Sequence, residues 1–167
     1  MKKAIVILTI LLASTNCFTQ EMSEDGKSAL IKYYEGLHLR AYYCPANVLT
    51  IGWGHTGKDV KQGMVISKEQ AELLLNKDLR KFVMYSYNRI ERGLLWNELD
   101  ALTSFSFNLG SFNNAIKKQV ELRNTNLVKL EIMKYTHARV KGKMTELRGL
   151  VLRRGKEANW YAKSITN

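Results

Sequence analysis

Glu35, Cys44 and Thr50 are the residues whose types and spacing suit hydrolytic chemistry, with a carboxyl followed by a thiol nine positions on and a hydroxyl six beyond that. Hydrolysis of a glycosidic bond needs an acid to protonate the leaving oxygen and a group on the opposite face to position or activate water. Glu35 suits the first role. Beside Tyr34 and Leu37 its carboxyl is placed for partial burial, which favours the protonated form that a general acid needs. Taken alone, a glutamate near a helix end is more often a surface carboxylate. A thiol with an ordinary pKa of about 8.5 is mostly protonated at neutral pH and needs help to act as a base. Free cysteine is also among the residues most often buried and inert.

The elements that must hold these groups are legible. Ser23 is placed to cap a first helix whose apolar positions Leu30, Tyr33, Tyr34 and Leu37 recur at helical spacing, and Gly36 ends it. That sets Glu35 in the helix's last turn. From Leu37 to Thr56 the pattern changes to short runs around Cys44-Pro45-Ala46-Asn47, followed by Gly52, Gly54 and Gly57, which is hairpin chemistry. Ser67 with Gln70 makes a capping box ahead of Ala71, Leu74, Leu75, Leu79, Phe82 and Val83, a long amphipathic helix. Further helical patterns run from Asn97 to Leu109, closed by Gly110, from Asn126 to about Ala138, and from about Glu146 to Ala162. The sum is an α+β fold with a small β-hairpin lobe and a larger helical lobe joined by a long helix. No linker or internal repeat divides residues 20–167, and Pro45, the single proline, sits in a local turn, so these residues read as one domain.

Lysines and arginines number 26 against 15 acids, a formal charge of +11 that draws the chain to polyanions. The charge is spread from Lys27 to Lys163 without an arginine-rich tail or a nucleic-acid motif, so it reads as a basic, steering surface rather than a nucleic-acid site. Lys2 and Lys3, the apolar run Ala4 to Ala13, and then Ser14, Thr15 and Asn16 have the layout of a secretory signal peptide or signal-anchor covering residues 1–19. The run is shorter than the roughly 18 residues of a membrane span. Asn16 lacks the small side chain that lipoprotein processing at Cys17 wants. An exported basic protein, in the periplasm or outside the cell, meets envelope polymers first. Peptidoglycan, with its peptide carboxylates, is the natural partner.

Other candidates carry less. His55 paired with Cys44 would suggest a cysteine nucleophile, but no orienting acid is evident near it. His38, His55 and His137 lack metal-ligand spacing, so neither a metal nor a cofactor is expected. Phe105, Phe107 and Trp160, at helical spacings, read as core. Arg153-Arg154 reads as a structural or solvated pair, or as a contact for wall carboxylates.

The stretch Tyr34-Glu35-Gly36-Leu37-His38-Leu39-Arg40-Ala41-Tyr42, then Cys44, then Thr50-Ile51-Gly52-Trp53-Gly54-His55-Thr56, closely resembles the signature of phage-type lysozymes, the endolysins of glycoside hydrolase family 24. Their pattern is a Glu, an Asp or Cys nine positions on, and a Thr six beyond, and the chain matches it position for position. The resemblance continues in Asp100 to Gly110 and in Gly149 to Glu157, and spans roughly residues 22 to 162. It implies a lysozyme-like fold, with Glu35 as proton donor, Cys44 as the second catalytic group where many relatives carry Asp, and Thr50 helping to hold the attacking water. It also implies hydrolysis of the β-1,4 bond between N-acetylmuramic acid and N-acetylglucosamine, with inversion, by a monomer without a cofactor. Pro45 and Asn47 stand where relatives often have glycine, and Asn tolerates a left-handed turn. Some relatives are controlled by a thiol rearrangement, and here a Cys17–Cys44 disulfide would block the site. The alternative from another class is a basic wall- or membrane-binding protein on a lysozyme fold that has lost catalysis.

Overall fold

Ser23 opens the first element as its side chain allows. Its hydroxyl oxygen accepts from the Gly26 backbone N–H, and the chain coils through Glu24–Gly26, Lys27–Lys32 and Tyr33–Glu35 as one helix, α1. In this computed structural model, which describes residues 20–44 and 46–163, the middle six residues of α1 form a π-helix. The apolar spacing gave no sign of that wider turn, a feature frequent at functional sites. It leaves the consecutive Leu30 and Ile31 both fully buried. Gly36 then ends the helix at φ 69°, in the left-handed region that disfavours a side chain. The helix start is tied to the rest of the molecule through Asp100. The Ser23 N–H and the Trp160 indole N–H both donate to its carboxylate, and Gly26 packs so close to it that no side chain would fit there.

After Gly36 the chain forms β1 (His38–Tyr43), β2 (Leu49–Gly52) and β3 (His55–Thr56), an antiparallel sheet in that order. Tyr42 faces Thr50 and Tyr43 faces Leu49, while Thr50 also faces Thr56. Beneath the sheet, Ile51, Val60, Ile66 and Ala71 make a small apolar cluster. Ala71 belongs to α2 (Lys68–Arg89), whose capping box between Ser67 and Gln70 is formed on both sides. Farther along α2, Leu75, Leu79 and Val83 pack with Met22, Leu30, Ile31 and Leu99. At 1.5 Å per residue this helix is about 33 Å long, so it joins the sheet lobe to the helical lobe in accord with its pattern.

Helix α3 (Trp96–Leu109) is the axis of the larger lobe: every residue from Asn97 to Ser106 is buried. Around it, Phe105, Phe112, Ile116, Val120, Val128, Ile132 and Tyr161 fill the main core. Three details depart from the sequence reading. Helix α4 (Asn114–Glu121) is absent from that reading, because it has two turns and only Ile116 and Val120 face the core. Helix α5 (Thr125–Met133) stops short of Ala138, and Ala138 and Glu146 lie instead in a hairpin, β4 (His137–Val140) with β5 (Lys143–Glu146). Lys141 and Gly142 turn that hairpin at φ 48° and 84°, a left-handed pair that a helix cannot contain. The last helix, α6, therefore runs over Arg148–Tyr161. The expected signal segment and Cys17 lie outside the described residues.

Candidate active site

Glu35 sits at the C-terminal end of α1, its side chain a quarter exposed. Two other elements converge on its carboxyl. Arg153, from α6, donates from Nη1 to Oε1 at 3.0 Å. Gly54, in the turn between β2 and β3, lies against the other oxygen: a Cβ built there would stand 3.2 Å from Oε2, and its φ of +85° already favours glycine. Gly54 therefore lets the sheet lobe approach the carboxyl closely.

Arg153 belongs to a buried charge network. Its Nε donates to Glu157 Oε1 at 3.4 Å, its guanidinium stacks 5.2 Å from the Tyr34 ring centroid, and only 5% of the residue is exposed. Arg154, fully buried, ion-pairs with Glu157 at 3.2 Å, donates to Asn108 Oδ1 at 2.6 Å and covers the Phe105 ring. Ser104 donates to Glu157 at 2.7 Å. Burial pushes Glu157 upward in pKa, and the two arginines and the hydroxyl oppose that shift. The Arg153-Arg154 pair is thus turned inward, toward the protein's own acids rather than wall carboxylates. Its signal in the sequence was a glutamate four and three residues on, within an otherwise well-packed helix.

Cys44 and Thr50 are brought together by the β1–β2 hairpin. The Cys44 N–H donates to the Val48 carbonyl at 3.0 Å, and the Asn47 N–H closes the turn on the Cys44 carbonyl at 2.8 Å. Asn47 takes φ 58°, the left-handed geometry read for it. Hydrogen bonds from the Val48 and Ala46 backbones, with a smaller one from the Thr50 hydroxyl, hold the partly exposed thiol below its ordinary pKa. Thr50 is buried, with its hydroxyl 3.0 Å from the Val48 carbonyl.

His55 does not face this thiol as a free base. The sequence showed no orienting acid near it, yet two flank it: Asp78 lies 2.7 Å from Nδ1 and Asp59 3.2 Å from Nε2. With both ring nitrogens engaged, His55 clamps β3 to α2. The cleft in front of Glu35 is lined by Gly54, Thr56, Asp78, Lys81, Phe82, Phe107 and Asn108. Thr56 is the cross-strand partner of Thr50, so the sheet strand that carries Thr50 borders the cleft through its neighbour. Phe105 is buried core, and Trp160 and Phe107 pack against core clusters as read, while Phe107 also lines the cleft, edge-on to Phe82.

Known proteins are similar to this chain in sequence and in fold. An endolysin of Acyrthosiphon pisum secondary endosymbiont phage 1 is 38% identical over 139 residues, covering 81% of this chain and 94% of the relative. Among solved structures, an endolysin from Escherichia coli O157:H7 phage FAHEc1 superposes with a TM-score of 0.80 at 34% identity, over 88% of this chain and 96% of that one. The muramidase domain of SpmX from Asticaccaulis excentricus gives 0.78 at 29% identity, over 87% and 99%. The family model described as Phage lysozyme matches residues 32–157, from the turn that carries Glu35 to the glutamate that anchors Arg153. The chain belongs to the phage lysozyme family.

Proposed function

We propose that this protein is an exported muramidase that hydrolyses the β-1,4 bond between N-acetylmuramic acid and N-acetylglucosamine in peptidoglycan, with Glu35 as general acid and Cys44 with Thr50 managing the water. The observation that carries this reading is the held carboxyl of Glu35, fixed at Oε1 by Arg153 and bordering an open cleft. Fixing one oxygen leaves Oε2 as the atom that carries the proton to the leaving oxygen. A water on the opposite face attacks the anomeric carbon, the glycosidic bond breaks, and the water's proton passes to the Cys44 thiolate. Thr50, buried beside the thiol, keeps the sulfur in place. Such acid and base assistance contributes about 10²–10⁴-fold each. Direct attack by water inverts the anomeric centre, which proton NMR of the first product reads. The basic surface supports partnership with an anionic wall, and the lysine-led apolar run at residues 1–19 supports export. The protein acts as a monomer.

The test is reducing-sugar release from purified peptidoglycan by the parent and by Glu35→Gln, under reducing conditions. Release by the parent alone is the expected result. Equal lysis by both would mean a charge-driven effect, because this substitution barely alters the net charge, and would overturn the hydrolase reading.

A further inference from the structure

One cation in the cleft has no internal partner among the described residues. Of the charged residues lining the cleft, Glu35 is paired with Arg153 and Asp78 with His55, but Lys81 forms no such ion pair. Lys81 is exposed on α2, and its ammonium stands 4.8 Å over the Phe82 ring, which steadies a long side chain that would otherwise sample many rotamers. Phe82 in turn meets Phe107 of α3 edge-on, with centroids 5.5 Å apart. The residue after Phe107 is Asn108, whose Oδ1 is taken by the buried Arg154. That bond fixes the amide and leaves its N–H donors without a partner among the described residues. An ammonium and an amide donor therefore flank an aromatic base in the same cleft as the Glu35 carboxyl. Both of these groups are donors, a set suited to an anion.

We propose that Lys81, with the Asn108 amide beside it, forms a subsite for an anionic substituent of the glycan strand and so selects decorated strands over bare ones. The substituent is a carboxylate of an attached peptide or a phosphate of an attached polymer, which offer the same oxygens. The subsite rests on the hydrolase reading above for the identity of the strand. The ammonium contributes charge and the amide contributes direction, and the Phe82–Phe107 pair offers an apolar surface for the sugar or linker that carries the anion.

Three soluble strand preparations separate the possibilities: one with peptides but no phosphate polymer, one with phosphate polymer but no peptides, and one with neither. For the full chain and for Lys81→Gln and Lys81→Arg, kcat/KM is measured on each, and binding to each is measured in the Glu35→Gln background, where cleavage plays no part. Lys81→Gln is expected to lower the preference for an anionic strand over the bare one by about five-fold, the upper range for an exposed charge contact. Lys81→Arg should retain that preference, and added salt should erode it in the parent. The strand whose preference falls identifies the anion. If Lys81→Gln changes all three strands by the same factor, or none, the subsite is wrong while the hydrolase reading stands. If the parent cleaves no strand yet its binding preference still depends on Lys81, the hydrolase reading falls and the subsite stands.

Discussion

The two walls of the site hold their chemical groups in different ways. On the helical side, the Glu35 carboxyl is fixed by Arg153, 118 positions away in the chain, which leans on a glutamate with no exposed surface. On the sheet side, the Cys44 thiol is held by residues two to six positions away in its own hairpin. The first arrangement ties the acid to the packing of the whole larger lobe. The second leaves the thiol free to be exchanged without disturbing the core. Damage to the helical wall should therefore reduce stability and activity together, and damage to the sheet wall should reduce activity alone.

The largest expected effect falls on the sheet side and is confined to rate. On the proposed role of Cys44 as base, Cys44→Ala should lower kcat by about 10²–10⁴-fold, the range for loss of a positioned base, while urea unfolding moves by less than about 0.5 kcal/mol, as for other surface changes. The thiol's pKa is lowered, so its ionised form is populated at a lower pH than in an ordinary cysteine. Activity should accordingly rise with pH through that lowered pKa, and Cys44→Asp should move the rising limb to more acidic pH. Stability loss in Cys44→Ala as large as in a core variant would break the contrast between the walls.

Next is Glu157→Ala on the helical side. It strands the buried Arg154 guanidinium and removes the support of Arg153, and losing one partner of a buried pair costs about 3–5 kcal/mol. Thermal unfolding should show that loss, with a parallel fall in activity. Arg153→Ala is expected to cost about 100-fold in kcat through a misplaced Glu35, and Arg153→Lys should restore little, because a point charge does not reproduce a fork that serves Glu35 and Glu157 at once. The smallest effect is at the seam between the walls. Gly54→Ala places a methyl against Oε2 in a left-handed backbone, and should lower stability by about 1–2 kcal/mol. Steady-state kinetics should show a modest fall in kcat.

Much of this was legible along the chain because the forces concerned are local. Ser23, Gly36, Ser67 with Gln70, and Gly110 act on backbone groups within a few residues, so caps and helix ends could be read directly. Asn47 declared its left-handed turn for the same reason. Short elements with few core positions were not legible: α4 shows two buried apolar residues, and the β4–β5 hairpin is exposed along most of both strands. Phe107 packs against a core cluster as its spacing predicts, but helical spacing tells only which residues share a face, not that this face also borders a cleft.

Residue order and type sufficed to establish the helix-end position of Glu35, the hairpin turn that lies between Cys44 and Thr50, and the long helix that follows. All of these depend on contacts between near neighbours. It took the packed molecule to establish that Arg153 grips the acid, that two aspartates occupy His55, and that Lys81 stands in the cleft without an ion pair among the described residues. Those facts join residues separated by as many as 118 positions, and their energetics come from burial and charge in a packed interior rather than from any local preference of the chain.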